Sequence, residues 1–146
     1  MKRTATAVWN GSGKDGSGHL TSQSTTLNKT QYSYKSRFEE GVGTNPEELI
    51  AAAHAGCFSM AFSAGLGKAG FNPTSIETVA RVHLEKVGEG FEITRIVLET
   101  EGDIPNIDDA TFQKEAENAK KGCPISKALA GVAQIELKAK LKTAAR

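Results

Sequence analysis

Little in this 146-residue chain is available for cross-linking, metal binding or aromatic packing. It has two cysteines, one tryptophan, two tyrosines and four prolines, and only 6% of its residues are aromatic. Two cysteines are too few for the disulfide framework of a small secreted domain. They leave three roles: buried hydrophobe, metal pair or redox chemistry. The histidines are scattered at His19, His54 and His83, and neither cysteine belongs to a CxxC pair, so zinc-ligand spacing is missing. An excess of one charge is missing too. Lys and Arg total 18 against 17 Asp and Glu, a net charge of +1, which excludes the basic footprint of a nucleic-acid binder. The N-terminus has two basic residues but no apolar signal core. The apolar run Ile50–Leu66 is broken by His, Ser and Gly and is short for a membrane span. The expectation is one cytoplasmic domain over residues 1–146, with no nucleic-acid or membrane partner, long enough to bury a core.

What is present gathers in Thr44–Met60, TNPEELIAAAHAGCFSM. Asn45 suits an N-cap, Pro46 a first helical position, and Glu48 the carboxylate of a capping box. No charge follows from Leu49 to Gly67. A helix without a charged face is buried on most sides, and its Ala and Gly residues let another backbone come close. The helix is expected to end near Gly67–Gly70, with Gly70 at C′.

Around it the chain reads as α+β. Thr4–Trp9, His19–Leu27 and Gln31–Phe38 form an expected N-terminal three-stranded meander, with a Gly/Ser loop at Asn10–Gly18. Glu39–Gly43 leads into the long helix. Ser75–Val87 alternates apolar and polar residues, Gly88–Gly90 turns the chain, and Phe91–Glu101 completes a β-hairpin. Asp108–Lys121 is a helix, acidic at its start and basic at its end. Cys123–Ala130 is a further short helix, and Val132–Leu141 a closing strand.

Four residues carry the chemical interest. Cys57 lies mid-helix, where a lone cysteine is commonly a small core residue. No helix N-terminus lowers its pKa there, so a reactive Cys57 needs a cation from elsewhere. Cys123, in Gly-Cys-Pro, stands at an N-cap, where free N–H groups favour a thiolate. Arg37, at the end of the third expected strand, is a candidate to stabilise a thiolate and donate to a substrate oxygen. Glu47, in the first helical turn, is a candidate to hold that arginine. His54, one turn before Cys57, reads more readily as a packing residue than as a base. In one continuous helix Glu47 and Cys57 are about 15 Å apart along the axis. A single site holding both requires a broken helix or a second copy of the chain. Antiparallel crossing of two such helices predicts a two-fold homodimer with its sites at the interface.

TNPEELIAAAHAGCFSM around Cys57, GCPISKAL around Cys123 and SRFEE around Arg37 together resemble the OsmC/Ohr family, over essentially the whole chain. The position of the arginine resembles the OsmC branch. The resemblance implies an intertwined α+β homodimer and a thiol peroxidase of oxidative and osmotic stress. Such an enzyme reduces organic hydroperoxides, and hydrogen peroxide less well. It assigns Cys57 as peroxidatic and Cys123 as resolving, joined in a Cys57–Cys123 disulfide during turnover, with Arg37 and Glu47 as the catalytic arginine and its partner. It implies no metal or organic cofactor and an external dithiol reductant, a lipoyl dithiol being one candidate. Apolar walls at Phe58, Met60 and Phe62 are expected to favour organic peroxides. Two other readings stay open on the residues alone: a non-catalytic stress protein binding an apolar ligand, and a thiol–disulfide oxidoreductase.

Overall fold

Short-range hydroxyl bonding limits the N-terminal strands. In the computed structural model, which describes residues 1–142, β1 (Ala5–Asn10), β2 (Ser17–Ser22) and β3 (Thr30–Ser33) form an antiparallel sheet in the order β1-β2-β3. The second and third strands are shorter than expected. After Ser22, its own Oγ accepts the Leu27 N–H at 3.0 Å, and Ser24 Oγ donates to Thr26 Oγ1 at 3.0 Å. Such local side-chain bonds offer the backbone an alternative to the ladder.

Residues expected to continue the third strand instead form a short helix, α1 (Tyr34–Phe38). Ser33 Oγ accepts the Ser36 N–H at 3.2 Å, and Ser36 Oγ accepts the Ser33 N–H at 2.8 Å. This reciprocal capping box starts a helix where alternation suggested a strand. Arg37 is therefore a helical residue. Gly43 then turns the chain with φ +109, and a Cβ there would meet Gln31 O at 2.0 Å. Only glycine fits this turn, which lets the Thr44 N–H reach Gln31 O at 2.8 Å.

The long helix α2 (Pro46–Lys68) starts as expected. Asn45 Oδ1 accepts the Glu48 N–H at 2.8 Å. The Glu48 carboxylate, however, receives Thr44 Oγ1 at 2.6 Å. At the other end the Phe71 N–H bonds Leu66 O at 2.9 Å, and Gly70 has φ +94. Gly70 is thus the C′ glycine of a Schellman ending.

Two compact units emerge, Met1–Leu49 and the chain from Ile50 onward. In the second, β4 (Ser75–Val87) and β5 (Gly90–Asp103) form the antiparallel hairpin, and β6 (Gln134–Leu141) pairs in parallel with β5. A parallel neighbour requires a crossover, made by α3 (Asp109–Gly122) and α4 (Pro124–Ala128).

The core of this unit joins Phe58, Phe62 and Leu66 of α2 to Leu98, Ile104, Phe112, Ala116 and Ala119. Phe62 stacks tilted between Phe58 and Phe112, with ring centroids 5.6 and 5.3 Å away. Phe58 and Phe62 are thus core residues, not walls of an open site as expected. Of α2, the stripe His54, Phe58, Phe62, Leu66 is buried, at the four-residue spacing of one helical face. Ala52, Ala53, Gly56, Met60, Ser63, Ala64 and Gly67 are exposed, Met60 at 77%. The 23-residue helix is long and apolar enough by composition to cross a membrane. Its buried stripe is nevertheless packed into a protein core, as in a core helix.

Candidate active site

Cys123 occupies the joint between two helices. Its N–H bonds Ala119 O at 3.0 Å and closes α3, while its side chain caps α4. Pro124 follows at the first helical position, where its missing N–H costs nothing. The Ser126 N–H donates to Cys123 Sγ at 3.3 Å, and Ser126 Oγ lies 3.3 Å from the same sulfur. The sulfur is fully buried.

Facing it is Cys57, half-buried on α2. The two cysteines are free and 3.4 Å apart, although far separated in sequence. Their environments push them in opposite directions. Burial raises the Cys57 pKa, and the neighbouring Cys123 adds to the rise against the Ile125 N–H. Burial also raises Cys123, but the hydroxyl and N–H of Ser126, the Cys57 thiol and the Ile125 N–H outweigh it. Cys123 is held below the ordinary thiol value. Among the described residues no cation acts on either sulfur. Behind Ser126, the Nε2 of buried His54 lies 2.7 Å from Oγ. Burial holds His54 below its ordinary pKa and therefore neutral.

A second constellation is built within the N-terminal unit. Arg37 Nε donates to Glu47 Oε1 at 2.9 Å, and Nη2 to Oε2 at 3.0 Å. This parallel fork is the strong geometry for arginine and a carboxylate. The elements that carry the pair are tied together. Asn45 Nδ2 donates to Ser36 O at 2.9 Å, and Ser36 Oγ donates to Thr44 O at 2.7 Å. The guanidinium also lies over the Phe38 ring, 5.2 Å from its centroid. Glu47 occupies Nε and Nη2, which leaves Nη1 to meet another acceptor.

The sequence of residues 39–138 matches the profile of the OsmC-like protein family. The chain belongs to that family. It is 51% identical over 137 residues to "Peroxiredoxin OsmC" of Escherichia coli (strain K12), covering 94% of each chain. It is 33% identical over 98 residues to the "Organic hydroperoxide resistance protein" of Xanthomonas axonopodis pv. citri, covering 66% of this chain and 67% of the relative. Among solved structures, it resembles the organic hydroperoxide resistance protein OhrB of Bacillus subtilis with a TM-score of 0.68. Identity there is 27%, over 95% of this chain and 98% of that one.

In this OsmC-like chain the four expected site residues resolve into two pairs, Cys57 with Cys123 and Arg37 with Glu47. The helix between Glu47 and Cys57 does not break, so the two stay about 15 Å apart along its axis. Sequence reasoning did not single out Ser126, while His54, expected as a packing residue, is buried. The signal for Ser126 was a hydroxyl three residues after an N-cap, the spacing at which caps and their partners meet. No comparable local signal linked His54 to it.

Proposed function

We propose that the chain is a thiol-dependent peroxidase that reduces organic hydroperoxides to alcohols, and hydrogen peroxide more weakly. The observation that carries this reading is the contact between two free thiols, one of them half-open. The names of the relatives, a peroxiredoxin and organic hydroperoxide resistance proteins, support it. In the reaction, the Cys57 thiolate attacks the peroxide, the alcohol leaves, and Cys57 becomes a sulfenic acid. Cys123, already in contact, condenses with it to a disulfide and releases water. An external dithiol, a lipoyl dithiol being one candidate, restores both thiols by exchange. This activity fits the reducing cytoplasm and a response to oxidative or osmotic stress.

The thiolate of Cys57 needs a cation, because its own surroundings raise its pKa. Arg37, oriented by Glu47, is the proposed source. The unbroken helix separates Glu47 from the Cys57 of its own chain, so the pair serves the Cys57 of a second copy. The uncharged, largely exposed face of α2, with its Ala and Gly residues, supports close approach of that copy. The proposed unit is thus an intertwined homodimer, in which residues 1–146 act as one domain.

A peroxide-consumption assay tests the reading, comparing cumene hydroperoxide with hydrogen peroxide and dihydrolipoamide with thioredoxin as donors. Faster consumption of the organic peroxide and its loss in Cys57→Ser are expected. Wild-type consumption by Cys57→Ser overturns the mechanism. Sedimentation at micromolar concentration tests the dimer, and a monomer there removes the role given to Arg37 and Glu47.

A further inference from the structure

One buried ionisable group has no part in the chemistry above. His54 is 0% exposed, and its Nδ1 finds no hydrogen-bond partner among the described residues. An orphaned buried ring nitrogen is destabilising, and a phenylalanine or leucine on this apolar stripe carries no such cost. A packing role alone does not account for the imidazole. Its other nitrogen, Nε2, lies 2.7 Å from Ser126 Oγ, which lies 3.3 Å from Cys123 Sγ. Cys123 in turn touches Cys57. Imidazole, hydroxyl and the two sulfurs thus form one unbroken line across two segments of chain, α2 and the α3–α4 joint.

We propose that His54 and Ser126 form a proton relay that activates Cys123 for attack on the Cys57 sulfenic acid. The proposal rests on the peroxidase reading above. Burial keeps the imidazole neutral and able to accept. As Cys123 Sγ attacks Cys57 Sγ, its proton passes to Ser126 Oγ, and the Ser126 proton passes to His54 Nε2. The Cys57 S–O bond breaks, and the departing hydroxide takes a proton from Ser126, which His54 replaces. The sum is Cys57–SOH plus Cys123–SH giving the disulfide and water. His54 ends neutral, with no further reactant. A buried imidazolium is unfavourable, so the proton returns promptly. His54 acts on the sulfur only through Ser126.

The test uses the reduced full-length protein mixed with one equivalent of cumene hydroperoxide. Sulfenic acid is followed by dimedone trapping and mass spectrometry, and the disulfide by loss of free thiols. General acid–base contributions are typically 10²–10⁴-fold. His54→Gln and Ser126→Ala should each slow disulfide formation about 100-fold, so that trapped sulfenic acid accumulates. Glutamine keeps a hydrogen-bonding group but cannot take up a proton. A wild-type disulfide rate in His54→Gln, with a slow rate in His54→Leu, means a structural role and overturns the relay. A wild-type rate in Ser126→Ala overturns it as well, and decides the matter if the His54 variants do not fold. If the wild-type protein forms no sulfenic acid at all, the peroxidase reading fails first and the relay falls with it. A wild type that forms sulfenic acid and variants that resolve it normally refute the relay alone.

Discussion

The Arg37–Glu47 pair and the Cys57–Cys123 pair are opposites in chemical character. The first is a full charge pair, forked and short, with its arginine side chain 39% exposed and its glutamate 11%. It contains no nucleophile. The second is a pair of thiols among a hydroxyl, an imidazole and backbone N–H groups, with no cation acting on it among the described residues. Each holds what the other lacks. The proposed reaction calls for a thiolate and a cation at one point, which neither pair supplies by itself. The charged pair lies within the N-terminal unit and the thiol pair within the second, and each is held by bonds of its own unit. The salt bridge needs no sulfur to hold its geometry, and of the thiols Cys123 is positioned by a helix cap and Cys57 by the middle of α2.

The largest effect should come from removing the cation. If Arg37 serves the thiolate, Arg37→Ala lowers the rate of peroxide reduction about 10²–10³-fold, as loss of a preorganised charge-stabilising donor does. Arg37→Lys recovers little, because an ammonium cannot reproduce the fork. A near wild-type kcat/KM for Arg37→Ala would show that the thiol pair works without the charged pair.

Cys123→Ser comes next. It should leave one peroxide turnover and block recycling through the internal disulfide. The Cys57 pKa should also move down, because contact with Cys123 is one of the causes that raise it. Thiolate absorbance in the ultraviolet against pH measures this shift. An upward shift would mean that the two thiols are not coupled as the geometry indicates.

A smaller effect concerns stability. His54 has its pKa lowered from 6.5 by burial, so below that value the unfolded chain binds more protons than the folded one. Stability is then complete above about pH 6.5 and falls as the pH drops, by at most about 1.4 kcal/mol per pH unit. Urea midpoints at pH 7.5 and 5.5 read this loss, and His54→Gln should flatten it. The same slope in His54→Gln would assign the loss to another group. Smallest of all is the stability effect of Arg37→Ala. For a partly exposed ion pair it is about 1 kcal/mol or less, although the same change is expected to lower activity strongly. A large loss in melting temperature would recast the charged pair as structural.

Much of the architecture is legible locally. The caps of α2, the Gly70 ending, the hairpin β4–β5 and the Cys123–Pro124 joint are each specified by residues a few positions apart. The third strand misleads because Thr and Ser serve strands and caps equally well, and Ser33 with Ser36 settles the choice through one reciprocal pair of bonds. Phe58 and Phe62 mislead for a different reason. Flanking a cysteine does not say which face of the helix turns inward.

The helix that carries Cys57 shows where each kind of information stops. Its length, its caps and its lack of charge follow from the sequence alone, because helix signals act over one or two turns. The same is true of Cys123 as a capping thiol. That Cys57 touches Cys123, and that Ser126 joins Cys123 to His54, was decided only by tertiary structure. These contacts cross between α2 and the α3–α4 joint, and packing of Phe62 against Phe112 is among the contacts that set that approach. No local spacing records a contact made through a shared core.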